Sequence, residues 1–169
     1  MSVLDILTYP DPFLKHPAKP VEEIDERIQQ IIEDMAETMY QAPGVGLAAT
    51  QAGIDQSIIV FDPEADSSSR NFQVLINPGI IDARGKVISE NEGCLSVPDF
   101  RSDVPRFDHV VVQGLDRHGN ALEIDAGGFL STILQHEIDH LNGILFIDRI
   151  SALKRQIYKR KRLKELKTV

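Results

Sequence analysis

Ile24, Ile28, Ile31, Ile32, Met35 and Met39 recur at three- and four-residue steps, the spacing of one helical face. Asp25 stands where an N-cap belongs and Pro43-Gly44 where a helix must stop, so an amphipathic helix is expected between them. From 58 to 113 the texture changes to short β-branched runs at 58–61, 74–76, 86–89 and 110–113, separated by Asn-Pro-Gly, Gly and Pro signals that read as breaks between strands. Residues 62–71 form a polar stretch that reads as a loop, and 115–122 read as a hairpin turning at His118-Gly119-Asn120. Between 128 and 142 the helical period returns in Phe129, Leu130, Ile133, Leu134, Ile138 and Leu141, and Gly143 follows as a C-cap. Finally Ser151 can cap a helix reaching Leu166, in which only Leu153, Ile157, Leu163 and Leu166 are apolar. That is too little for a deeply buried face, so this last helix is expected to project. Helix, strands and helix in that order predict an α+β fold of mixed or antiparallel strands packed around the second helix. One catalytic body at 1–150 and a helical tail at 151–169 complete the expected layout.

Charge separates the tail from the body. The last 18 residues hold eight Lys or Arg against Glu165 alone, a charge of +7, so the preceding 151 residues carry −15 of the net −8. Such asymmetry marks a tail that faces an anionic partner. A chain of 169 residues with 42% hydrophobic content can bury one sizeable core. No run approaches the roughly 20 apolar residues of a membrane span, and the opening is acidic and proline-punctuated, unlike a signal peptide, so a cytosolic protein with no membrane partner is expected. Cys94 has no cysteine to pair with, which leaves it as a buried apolar residue, a reactive thiol or a metal ligand.

The second helix carries His136-Glu137-Ile138-Asp139-His140. A four-residue step sets both imidazoles on one face, where they can grip one ion, and Glu137 projects beside it. Apart from Gln135, His136, Glu137, Asp139 and His140 this helix is apolar all round, and burying such a charged cluster costs several kcal/mol unless an ion offsets it. A catalytic site of the zinc type needs a third protein ligand and an open position for water. No histidine follows His140, and Asp148 and Glu165 are the only later acids, so the third ligand comes from upstream. Cys94 is the candidate, with Gly93 letting the chain turn sharply and present the thiolate from a loop. The segment Gly44-Val45-Gly46-Leu47-Ala48-Ala49-Thr50-Gln51 lacks the lysine of a phosphate-binding loop; its small residues suit close backbone approach to a ligand, or simply a tight turn into a strand.

Gly44 to Gln51, Glu92-Gly93-Cys94-Leu95-Ser96 and Gln135-His136-Glu137-Ile138-Asp139-His140 together resemble polypeptide deformylase, in that family's order and separations, and the resemblance runs through Ile150. It implies removal of the formyl group from the initiator N-formylmethionine of nascent proteins, with release of formate. It implies a metal on Cys94, His136 and His140, a metal-activated water, and Glu137 as general base. It implies that the Gln51 amide and the Leu95 backbone N–H meet the oxyanion. The substrate would lie extended along the backbone of Val45, Gly46 and Gly93, with Val45, Phe129, Thr132 and Ile133 around the methionine and Arg101 facing the peptide. Glu90 departs from the apolar residue that relatives often carry at this part of the pocket wall. The metal implied is Fe2+, which Zn2+, Ni2+ or Co2+ can replace, since two imidazoles and a thiolate suit them all. The basic tail implies docking on the ribosome, through rRNA or protein near the nascent-chain exit. Two other readings stay open from the residues alone: a general metallopeptidase, and a ribosome-associated binding module with a structural metal.

Overall fold

The structure, a computed structural model, describes residues 2–66 and 68–168. Met1, Ser67 within the expected polar loop, and Val169 at the end of the expected tail lie outside the described residues. Helix α1 (Glu26–Gln41) starts where the Asp25 carboxylate accepts the Ile28 N–H, and it buries Ile28, Ile32, Met35, Ala36 and Met39. Strands β1 (Gly46–Ala48), β2 (Ile58–Phe61), β3 (Gln73–Arg84), β6 (His109–Leu115) and β7 (Ala121–Gly127) form an antiparallel sheet in the order β1-β2-β3-β6-β7. Strands β4 (Val87–Cys94) and β5 (Val97–Arg106) make a separate two-stranded sheet. Helix α2 (Gly128–Leu141) follows β7 directly.

The large sheet is covered on both faces. Ile58 and Val60 of β2 pack with α1, whereas Ile59 and Phe61 pack with Ile133, Leu134, Ile138 and Leu141 of α2. That is why this strand is an unbroken apolar run with all four residues buried, where a strand with one wet face would alternate. A third cluster joins Val97 and Val104 of β5 to Leu14, Leu145, Phe146 and Tyr158. It ties the small sheet to the end of the chain.

Three expectations need correcting. Asn77-Pro78-Gly79 does not end a strand: β3 passes through it with register shifts and with Asn77 at φ 53°, a bulge in place of a break. Strand β5 was not expected at all, because Pro98 and Pro105 read as breakers. In a two-stranded sheet one long side of β5 pairs with β4 and the other is a free edge, where a missing N–H is tolerated. Helix α3 (Ala152–Lys167), capped by Ser151 as expected, does not simply project. Tyr158 is buried in the third cluster, and the Arg162 guanidinium donates to the Tyr9 carbonyl and the Thr8 hydroxyl. Leu153, Ile157, Leu163 and Leu166, the apolar residues the sequence pattern offers, are the exposed ones. Among the described residues no helix is long and apolar enough to cross a membrane.

Candidate metal centre

Helix α2 begins at Gly128, whose φ of 61° turns the chain sharply out of β7, and ends at Asn142-Gly143. A Cβ on Gly143 would stand 2.3 Å from the Lys15 carbonyl, so this C-cap admits no side chain. Between these ends His136 and His140 turn to the same side, with their Nε2 atoms 3.3 Å apart. Cys94 is the last residue of β4, paired with Val97, so its thiol comes from a strand end at the tip of a hairpin and not from a loop. Its Sγ lies 3.3 Å from His140 Nε2, and the three donor atoms fall within 4.8 Å of one another.

The spacing fits one ion. Two imidazole nitrogens bound at about 2.0–2.1 Å to a tetrahedral centre stand roughly 3.3 Å apart, so both rings already face a common point. Burial holds the His140 imidazole well below its usual range, in the neutral form a ligand requires. For His136, burial works the same way, but the charge of Glu137, the hydrogen bonds to Cys94 and Glu92 and the charge of Cys94 outweigh it and raise the ring well above its ordinary value. An ion there replaces a proton. Among the described residues the group offers three donors, which leaves a position open as catalytic sites do; a structural site takes four.

The surroundings hold these donors in place. Glu92 accepts from His136 Nδ1 at 2.6 Å, which fixes the tautomer that turns Nε2 inward. Arg106, only 5% exposed, donates to both Glu92 oxygens and to Asp139 at 2.9 Å, and Arg149 donates twice more to Asp139. Burial alone would push the Glu92 carboxyl up, but hydrogen bonds and charge from His136 and Arg106 win and hold it at about 2. The thiol receives the Ser96 N–H at 3.4 Å and the Gln51 amide at 3.6 Å, while that amide also donates to the Ser96 hydroxyl and its oxygen accepts from the Ala48 N–H.

Glu137 lies beside the donors with Oε1 buried and without a hydrogen-bond partner among the described residues. Burial pushes its carboxyl up to about 7, despite the opposing charge of His136, which is the range a proton acceptor at neutral pH needs. A Cβ at Gly46 would come within 2.6 Å of Glu137 Oε2, so the glycine is what lets β1 pass so close. A cavity of about 940 Å³ opens over this centre. Val45, Gly46, Gly93, Arg101, Phe129, Thr132 and Ile133 all line it, together with Gln51, Leu95 and Glu90. Every site residue expected from the sequence except His140 lines this one cavity, and His140 is joined to it through Cys94 and His136.

Sequence reasoning passed over Glu92, Arg106 and Asp139 as functional neighbours. The available signal was Asp139, an acid buried in an apolar helix three residues after His136 and therefore in need of a cation. Arg106 could not be matched to it while β5 was unread.

An α+β fold with three convergent donors, an open position and a buried carboxylate beside it defines a metal-dependent hydrolase. Comparison with known proteins narrows the class. The family model described as polypeptide deformylase matches residues 3–156, and the chain belongs to that family, which removes the N-formyl group from nascent peptides. It is 53% identical over 167 residues to a peptide deformylase of Syntrophobacter fumaroxidans, covering 99% of this chain and 98% of that protein. A crystal structure of a Legionella pneumophila peptide deformylase superposes with a TM-score of 0.90 at 44% identity, covering 99% and 98% of the two chains. A peptide deformylase of Ehrlichia chaffeensis in complex with actinonin gives 0.89 at 41% identity over 98% of each. Family membership sets aside the metallopeptidase reading, and three donors do not make the closed site of the binding-module reading.

Proposed function

We propose that Cys94, His136 and His140 hold a single ferrous ion, and that Glu137, Gln51 and Leu95 carry out deformylation around it. A cation there supplies Lewis acidity and lowers the pKa of a water toward about 7. Glu137 takes the water's proton as the oxygen attacks the formyl carbon, then passes it to the departing amine nitrogen as the C–N bond breaks. Formate and a free amino terminus leave. The Gln51 amide, turning from Ser96, and the Leu95 N–H donate to the developing oxyanion. Val45, Gly46 and Gly93 present backbone to an extended peptide, with Phe129, Thr132 and Ile133 around the methionine and Arg101 toward the following residues. Actinonin, the ligand of the Ehrlichia relative, would occupy this same cavity.

The observation that carries the reading is the convergence of two Nε2 atoms and one Sγ next to an unpartnered buried carboxylate. Protein purified without oxygen should release formate from formyl-Met-Ala, lose activity in air and regain it with nickel or cobalt. Equal, air-stable activity with zinc overturns the ferrous assignment; absence of formate release with every metal overturns the deformylase reading of this site.

We also propose that residues 1–150 are the catalytic body, that 151–169 dock on the ribosome, and that the protein works in the cytoplasm. Eight cations on α3 and its exposed Leu153 and Ile157 support docking on an anionic surface. Charge reversal at Arg160, Lys161, Lys164 and Lys167, which leaves the Tyr158 and Arg162 contacts in place, should leave hydrolysis of a formyl dipeptide unchanged and remove salt-sensitive ribosome binding in a sedimentation assay. Unchanged sedimentation would end that part of the proposal.

A further inference from the structure

A second cavity, of about 510 Å³, lies against β3, β4, β5 and α2 and shares no lining residue with the cavity over the metal centre. That volume is within the range of small-molecule sites. Ile80, Val87, Ile88 and Phe107 form its walls, and each is between 38% and 56% exposed, an unusual concentration of large apolar side chains facing water. Gln135 fixes the wall by accepting the Phe107 N–H and donating to the Phe107 carbonyl, so the cavity is built into the fold and is not a gap between loops.

Its charge is one-sided. Lys86, Arg106 and Arg149 line it, with Asp139 the only acid. Both Asp139 oxygens are taken by Arg106 and Arg149, through three N–H donors. Arg106 also donates from its other two nitrogens to Glu92. Lys86 has no ion pair among the described residues, and Arg149 keeps one terminal nitrogen free for another acceptor. An apolar trough with spare cationic donors at its rim, in a chain of net charge −8, is selective in an unexpected direction.

We infer that this cavity binds a small amphiphilic carboxylate, an alkyl or aryl chain lying on Ile80, Val87, Ile88 and Phe107 with its carboxylate at Lys86 and Arg149. The probe is submicellar decanoate added to the full-length, metal-loaded protein and followed by isothermal titration calorimetry. Saturable binding is expected, with decanol and decylammonium weaker by about tenfold or more. A carboxylate could instead sit on the metal in the other cavity, so the deciding variants are Lys86→Glu and Ile88→Asp, which lie away from it. Each should weaken decanoate by about tenfold or more while leaving formate release from formyl-Met-Ala at the parent rate. Undiminished decanoate binding in both variants, or equal binding of the three probes, overturns the inference. A variant that lost activity as well as binding would also count against it, because the two cavities would then not be separate.

Discussion

Gly46 and Gln51 show how much of the site depends on single side chains. The space a Cβ would need at Gly46 is filled by the Glu137 carboxylate, so Gly46→Ala must displace the carboxylate proposed above as the proton acceptor. Activity should fall by about a hundredfold or more, in line with loss of a general base, while circular dichroism and metal content stay near the parent values. A variant retaining more than half of its activity would show that Glu137 need not stay where it is. If Gln51 meets the oxyanion as proposed, Gln51→Ala should cost about 3 kcal/mol, or a hundredfold or more in kcat, again with the metal retained. Cys94, His136, Glu137 and His140 were legible in the sequence because metal chemistry demands those residue types at those spacings. Glu92 was not: its partners His136 and Arg106 come from a helix and from another strand, and no local pattern announces a pairing across elements.

Between elements, β5 is tied to α2 by an ion pair buried on both sides, through Arg106. Its guanidinium is buried between Glu92 of β4 and Asp139 of α2, so it closes a chain of contacts that ends on His136 Nδ1. Arg106→Met keeps much of the volume and removes the cation between two buried carboxylates, leaving Glu92 with His136 alone and Asp139 with Arg149 alone. Destabilisation of about 3–5 kcal/mol is expected in urea unfolding. Metal affinity should weaken by roughly 10–100-fold, because the carboxylate that orients His136 loses its anchor. If stability fell but metal affinity held, the ion network would be structural only. Elements with a clean period, α1, α2 and β2, could be read from the sequence. Of the small sheet only the start of β4, at 86–89, could be; β5 could not, since a proline at an accessible edge looks the same in sequence as a proline that ends a strand, and the bulge of β3 carries the same Asn-Pro-Gly that elsewhere makes a turn.

At the scale of the whole molecule, what sequence pattern cannot supply is the closure: the order β1-β2-β3-β6-β7, the split of β4-β5 into its own sheet, and the return of α3 to the body. Tyr158 makes that return. It is 2% exposed, packed at a tilt against Phe100 and Tyr9, and its hydroxyl finds no hydrogen-bond partner among the described residues. Burial raises its pKa from 10.0 to about 12. A phenol whose folded value lies above its unfolded value stabilises the fold fully below pH 10, and that contribution disappears as pH rises from 10 through 12. Tyr158→Phe keeps the ring packing, removes an unsatisfied buried hydroxyl and cannot ionise, so at neutral pH it should be as stable as the parent or more so. Between pH 10 and 12 its Tm should fall less steeply than the parent's, Tyr9 and Tyr40 being common to both proteins. Parallel Tm curves over that interval would mean that the Tyr158 phenol is open to water and that α3 stands off the body, the arrangement suggested by its scattered apolar residues.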